Sequence, residues 1–547
     1  MANPLELTIG GLLARAAARR PEGLALLDAP TGRRWSWAGL EAASAETARG
    51  LMALGLEPGD HLALWAPNQP EWVVCQLAAA RAGLVLTNLD LTSTPEALAD
   101  LLGRSGCRCL VAAPGRDGAR LETLAELLPE LHRPGRLASP RLPGLEQVVV
   151  LAESAPPAAV AWPELLARGR GADPAGLAAR EAGLDPAGVA CLFFTSGTTG
   201  APKGVLCPHR GLVNTQAQSA ANQGLGPDDR LCLSVPLAHV FGCACVSLCA
   251  LAAGAALVIP SRLPEPGAAL AAAAEHGCTA LYGAPTSFIA MLELAGAGGA
   301  PASLRTGILA GAQVPLEVMR RTVEELGVEE VLVGYGQTES CTWITQTRPH
   351  DPLELRCSTV GRPLEGVEVR IVDPDTGGEA GPGQVGELCA RGFNMLGYHQ
   401  DPAATAQALD PRGWLHTGDL ASRDREGFVS IAGRLKEVIR SGGRAVFPSQ
   451  VEEALFAHPA VADAQAFGVP HPELGQEVAV WVRLKQGRQA AEAELMEFAA
   501  GRLAEARRPR HLKIVDAFPL TQLGKVKKLE MAETYARELA EKKPSGA

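Results

Sequence analysis

The sequence predicts an α/β protein: a large N-terminal domain of mainly parallel αβ sheets, a small antiparallel barrel-like subdomain, and a small α+β domain at the C-terminus. Three observations predict it. Across the first 430 residues, short apolar runs alternate with Ala/Leu-rich stretches. Around 366–432 the pattern changes to alternating strands broken by turns, and after Gly433 helix and strand patterns restart as a separate unit. A chain of 547 residues also exceeds what one hydrophobic core usually organises.

In chain order, "MANPLELTIGGLLARAAARR" lacks a basic segment followed by a long apolar run, so it reads as the first helix of the domain and not as a secretory signal. "HLALWAP" followed by "EWVVCQLAAARAG", and "CRCLVAA" followed by "LETLAELL", are strand–helix units of the kind that build parallel sheets. Pro/Gly-rich stretches at 133–144 and 154–163 predict surface loops. From Leu231 to Ser261 the chain carries no formal charge, and about 20 apolar residues suffice to cross a membrane. Pro236, His239 and Gly242 interrupt the front of that stretch, however, and Gly254 precedes a β-like "AALVIP". A buried helix running into a buried strand is the expectation, with no transmembrane span.

"VEVRIVDPDTGGEAGPGQVGELCARG" alternates like antiparallel strands separated by Gly, Pro and Asp turns. Beyond it, "VEEALFAHPAVADAQAFGVP", "EVAVWVRLK" and "LMEFAAGRLAEA" read as helix, strand and helix. The domains are drawn at 1–434 and 435–547, the second being of an ordinary size for a domain.

Composition excludes some functions. A net charge of −10 argues against nucleic acid or an anionic membrane as the main partner. The thirteen cysteines form no Cys-x-x-Cys set and have no His at ligand spacing. They read as small buried residues in a reducing, cytoplasmic compartment, without a zinc site or a disulfide framework. Oligomeric state is not legible; a homodimer is compatible with the sequence.

The chemistry concentrates in "FFTSGTTGAPKGV", Phe193 to Val205. A strand candidate, "VACLFF", leads into Thr195, Ser196, Thr198 and Thr199, with Gly197, Gly200 and Gly204 between and after them and Lys203 near the end. Glycine-freed backbone N–H groups, hydroxyls and an ammonium form a cradle for phosphate oxygens. A Walker A loop does not fit, because Pro202 separates the second glycine from the lysine and Gly204 stands where Ser or Thr should bind magnesium.

"FTSGTTGAPKG" resembles the signature loop of the adenylate-forming enzymes: acyl-CoA synthetases, luciferases and peptide-synthetase adenylation domains. Further segments match the same family in order: "PLAHVFG", "YGQTE", "WLHTGDL", "GRLKEVIRSGG" and "PLTQLGK". "LYGAPTSF" and "GILAGAQVP" are most similar to medium-chain fatty acyl-CoA synthetases. The resemblance spans nearly the whole chain. It implies an acid–thiol ligase: a carboxylate attacks the α-phosphorus of ATP, pyrophosphate leaves, and the thiol of coenzyme A then displaces AMP from the acyl-adenylate.

The resemblance also implies roles. Lys203 and the hydroxyl loop would hold the β- and γ-phosphates. Glu339, with Thr198, would bind Mg2+, a hard cation that takes carboxylate and phosphate oxygens. Tyr335 would stack on adenine beside Thr338, while Gly311 and Ala312 let backbone approach the base. Asp419 would grip the ribose hydroxyls with Arg434 as partner. Lys525 would bridge the attacking carboxylate and the α-phosphate, offsetting their repulsion. Lys436 would be the hinge of a mobile C-terminal domain that swings Lys525 away and presents Ser441, Gly442 and Gly443 to pantetheine. His239 would gate the thiol's path. The acyl pocket would be lined by Gly242, Cys243, Ala244, Gly283, Ala284, Gly307, Ala310 and Ala312, whose small side chains leave volume for a bulky apolar acid.

One departure bears on the half-reactions. Where the family commonly has Glu-Asn after the paired glycines, this chain has Arg444 and Ala445, and Gln450 replaces a glutamate. An enzyme specialised for thioesterification of a supplied acyl-adenylate is therefore a second reading. An adenylating enzyme with another acceptor, such as an amine or a carrier thiol, is a third. A nucleotide-binding scaffold without turnover is disfavoured, because Lys203, Glu339, Asp419 and Lys525 are all present.

Overall fold

The computed structural model describes residues 4–195, 202–374, 376–519 and 526–542. Ser196, Gly197, Thr198, Thr199 and Gly200 of the hydroxyl loop, and Lys525, lie outside the described residues. The chain divides into two compact units, Met1–Val369 with Ala390–His416, and Arg370–Cys389 with Thr417–Ala547. The second unit thus includes residues 370–389 and 417–434, ahead of the 434/435 division drawn from the sequence.

The first unit is built on two large sheets, as the strand–helix alternation requires. In one, parallel strands Glu330–Tyr335, Thr306–Leu309, Ala280–Gly283, Arg230–Cys232, Ala256–Ile259 and Leu24–Asp28 lie in that order. In the other, parallel strands Val189–Thr195, Val85–Asn88, His61–Trp65, Cys109–Ala112 and Gln147–Val150 form the centre. Antiparallel strands Lys203–Pro208 and Gly397–Tyr398 extend its edge.

Successive residues of a strand point to opposite faces, and here both faces are buried. Leu26, Leu231 and Leu257 of the first sheet share one core with Leu62, Leu64 and Val111 of the second. The helices Ile9–Arg19, Trp37–Ala53, Pro70–Ala82 and His209–Asn222 contribute to that core between the sheets. The neighbouring residues Leu27, Cys232 and Val258 face the other way, onto the helices Pro266–His276, Pro285–Gly298 and Leu316–Glu324. Ala63, Trp65 and Leu110 likewise face the helices Pro95–Ser105 and Ala119–Leu127. Twelve of the thirteen cysteines are buried as free thiols, and eleven of them serve these three cores as small apolar residues.

The uncharged stretch 231–261 folds as a short strand, a π-helical segment Phe241–Leu248, a helix Cys249–Ala253 and the buried strand Ala256–Ile259. No helix among the described residues is long and apolar enough to cross a membrane. The Pro/Gly-rich stretch 133–144 is the expected surface loop, irregular and mostly exposed, anchored by Leu137 and Leu142 in the core that Trp65 and Leu110 share. Within 154–163, Val160–Ala161 is an edge strand and Trp162 starts a helix. Composition marked irregular backbone there, but leucines spaced along it still find the nearest apolar face.

The small antiparallel region is a four-stranded sheet in the order Glu368–Val372, Gly386–Arg391, Leu415–Arg423, Val429–Arg434. In the C-terminal part, the long antiparallel pair Val461–His471 and Gly475–Leu484 is flanked by the hairpin Ile439–Val446 and by the parallel strand His511–Ile514. Helices Pro448–Phe456 and Glu492–Ala500 cover one face through Val451, Leu455, Leu495 and Ala499.

Candidate active site

The hydroxyl loop leaves the strand Val189–Thr195 and returns as Lys203–Pro208, with Thr195 directly opposite Lys203. The Thr195 hydroxyl donates to the Lys203 carbonyl at 3.4 Å. The two ends of the phosphate-cradle candidate are therefore pinned side by side.

The Lys203 ammonium lies over the ring of Tyr398, 4.9 Å from its centre. Tyr398 belongs to the two-residue strand Gly397–Tyr398, in register with Leu206 and Val205. Its hydroxyl donates to Glu339 Oε1 at 2.9 Å. Burial first, and the Glu339 carboxylate next, push the phenol pKa up, so Tyr398 is the donor in this bond.

Glu339 is carried by a single 3-10 turn, Thr338–Ser340, after the strand Glu330–Tyr335. Two consecutive residues beyond it, Cys341 and Thr342, have positive φ of 48° and 95°. That backbone is costly, above all for a β-branched threonine, and persists only where its surroundings hold it. Buried side chains of the helix His209–Asn222 do so: the Thr215 hydroxyl donates to the Cys341 carbonyl at 2.9 Å, and Gln216 Nε2 donates to Thr342 Oγ1 at 2.6 Å. A Cβ on Gly336 would fall 1.7 Å from the Thr342 carbonyl oxygen, so only glycine lets the turn fold back. Tyr335 ends the strand half-buried, opposite Thr345, and Thr338 is buried. Gly311 and Ala312 are exposed just beyond the strand Thr306–Leu309, with open space where a Gly311 side chain would stand.

Asn68 holds the approach to His239: its Nδ2 donates to the Val235 carbonyl at 3.1 Å and its Oδ1 accepts the Leu237 N–H at 2.8 Å. His239 Nδ1 accepts the Phe241 N–H at 3.1 Å. Phe241, beside Gly242, stacks on Tyr282, beside Gly283, at 6.5 Å and meets Trp343 edge-on at 6.0 Å.

The glycines expected to open acyl volume divide into two kinds. A Cβ on Gly242 would lie 2.1 Å from the Pro236 carbonyl oxygen, and one on Gly307 the same distance from that of Leu281. At both, the missing side chain makes room for backbone and not for ligand, contrary to the expectation. A Cβ on Gly283 would meet only side chains, nearest Phe288 at 3.3 Å, while Ala284 is half-buried and Ala310 buried.

In the second unit, Asp419 and Arg434 are cross-strand partners with Arg434 Nε 3.1 Å from Asp419 Oδ1. Lys436 is exposed in the single turn Leu435–Glu437. Gly442 and Gly443, both with positive φ, turn the hairpin that places Ser441 opposite Arg444. Arg444 and Ala445 are exposed, whereas Gln450 Oε1 is buried without a hydrogen bond among the described residues.

Tyr398, Asn68 and Trp343 were not legible as site residues. Each is distant in sequence from what it touches, and none sits in a segment whose composition announces chemistry.

Residues 13–399 match the AMP-binding enzyme family and residues 450–525 its C-terminal domain. A Bacillus subtilis protein named as an acyl-CoA synthetase, YngI, is 37% identical over 538 residues, covering 97% of this chain and 98% of its own. The human mitochondrial medium-chain acyl-CoA ligase ACSF2 is 32% identical over 546 residues, 97% of this chain and 88% of its own. The crystal structure of ATP-bound MatB from Rhodopseudomonas palustris superimposes with a TM-score of 0.81 at 27% identity, covering 97% of this chain and 99% of that one. The chain belongs to the AMP-binding, adenylate-forming enzymes. Within them it is an AMP-forming acyl-CoA synthetase, an acid–thiol ligase.

Proposed function

We propose that this enzyme activates a bulky apolar carboxylic acid with ATP, forming an acyl-adenylate, and passes the acyl group to coenzyme A. The observation that carries the reading is the meeting of Lys203 and Glu339 on one tyrosine. A cation and a carboxylate so held suit a polyphosphate accompanied by a hard metal ion. The donor set fits Mg2+: Glu339 gives one oxygen to Tyr398, and the other accepts no hydrogen bond among the described residues. Bound there, the ion would neutralise charge on phosphate oxygens.

In this reading Lys203 takes the β- and γ-phosphates, with the loop Thr195 to Gly200. Tyr335, Thr338, Gly311 and Ala312 receive the adenine, and Asp419 with Arg434 the ribose. Lys525 steadies the carboxylate as it reaches the α-phosphorus. Lys436 is the pivot between residues 1–434 and 435–547. Ser441 to Gly443 face pantetheine after the swing, with His239 as its gate, and Gly283, Ala284 and Ala310 border the acyl chain. A cytoplasmic enzyme, alone or as a homodimer, is proposed.

The test is to follow pyrophosphate, AMP and thioester separately across a panel of carboxylic acids. Medium, bulky apolar acids should drive all three, and acetate and diacids should not. Pyrophosphate and AMP release without CoA consumption would instead favour another acceptor.

A further inference from the structure

Segment 395–399 is stitched to both parts of the proposed polyphosphate site. Its Leu396 and His399 N–H groups donate to the Leu206 and Gly204 carbonyls at 2.9 and 2.7 Å, and its Met395 N–H donates to the Glu339 carbonyl at 2.8 Å. Thr405 fixes the same segment from outside. Its Oγ1 accepts the Tyr398 N–H at 2.8 Å and donates to the Asp401 carbonyl at 2.8 Å. Gly397 admits Thr405 so closely because a Cβ there would lie 2.8 Å from Thr405 Cγ2.

We propose that Tyr398 is a positioning residue for adenylation, its ring seating the Lys203 ammonium and its hydroxyl orienting the Glu339 carboxylate before ATP binds. This rests on the reading of Lys203 and Glu339 given above. One rigid side chain, locked by backbone hydrogen bonds and Thr405, sets the separation of the phosphate cation and the metal carboxylate. Groups set in advance do not have to reorganise as charge develops. The hydroxyl engages Glu339 Oε1 and so leaves the second carboxylate oxygen to a metal.

The test compares Tyr398→Phe, Tyr398→Leu, Thr405→Val and Glu339→Gln with wild type by calorimetry of Mn2+·ATP and of AMP. Tyr398→Phe keeps the ring and deletes the donor, so affinity for Mn2+·ATP should fall about tenfold, the size of one hydrogen bond to a charged group. AMP affinity and thioester formation from supplied acyl-adenylate should stay within about twofold, because neither uses the polyphosphate metal. Tyr398→Leu should lose more than Tyr398→Phe, and Thr405→Val should shift Mn2+·ATP affinity the same way without touching either partner. Full Mn2+·ATP affinity in Tyr398→Phe, with loss in Glu339→Gln, overturns the role of Tyr398 alone. Full affinity in Glu339→Gln overturns the reading of Glu339, and the proposal with it.

Discussion

Arg434 Nε lies 3.1 Å from Asp419 Oδ1, across a strand pair that buries the carboxylate and leaves the guanidinium 40% exposed. Asp419 is further set by its own backbone, whose N–H donates to Thr417 Oγ1 at 3.1 Å. A carboxylate so held is prepared for hydroxyl donors. Asp419→Asn should weaken ATP and AMP alike by about tenfold or more, since a charge-assisted pair becomes a neutral one. Equilibrium binding of AMP measures it, and unchanged affinity would put the ribose site elsewhere.

Replacing Lys525 with Ala should slow acyl-adenylate formation by about two to three orders of magnitude, the usual cost of removing one transition-state charge donor. Thioester formation from supplied acyl-adenylate should be spared, because the lysine acts in one conformation only. Single-turnover assays of each half-reaction measure this. Equal loss in both would refute a swing about Lys436.

The two kinds of glycine predict opposite phenotypes. Gly283→Trp should shift preference toward short acids, because the new ring fills space that a bulky acid needs. Gly242→Ala should instead lower the melting temperature without changing that preference, since its methyl would collide with the Pro236 carbonyl. Overpacking of this kind costs about 1–3 kcal/mol. Acid-preference profiles and thermal melts separate the two.

His209 is buried, and its Nδ1 accepts the Ile9 N–H at 3.2 Å, joining the first helix to the helix His209–Asn222. Burial pushes its pKa down from 6.5 to about 4, with Asp185 opposing. The unfolded chain therefore takes up this proton near pH 6.5, and the folded one only near pH 4. Its contribution is intact above pH 6.5 and declines as pH falls toward 4, by roughly 3 kcal/mol in all. His209→Asn can still accept from Ile9 but does not titrate, so urea unfolding from pH 7 to 4.5 should show a shallower loss than wild type. Identical slopes would remove His209 from the acid sensitivity.

Arg444 and Ala445 stand exposed on the hairpin strand after Gly443. Exchanging them for the acid–amide pair changes local charge by two units, from about +1 to −1, which at protein surfaces alters encounter with a polyanion such as CoA. Arg444→Glu/Ala445→Asn should raise the KM for CoA several-fold, more at low salt, and leave ATP–pyrophosphate exchange near the wild-type rate. Absence of exchange in wild type, restored by the double variant, would instead identify an enzyme specialised for thioesterification.

Much was legible in the sequence because it is local. "FFTSGTTGAPKGV" carries its strand, glycines, hydroxyls and lysine in thirteen consecutive residues, and the strand–helix alternation needs only neighbouring periodicity to imply parallel sheets. Tertiary structure decided what depends on distant chain. Lys203, Glu339 and Tyr398 meet only because Gly397–Tyr398 adds to the edge of a sheet whose other strands come from far earlier in the chain. The strained Cys341–Thr342 turn behind Glu339 is held by Thr215 and Gln216, each 126 residues earlier than its partner. A glycine also reads the same wherever it occurs, yet Gly242 accommodates a carbonyl while Gly311 faces open space. Residue type records that a side chain is missing; only the packed chain decides what enters the space it leaves.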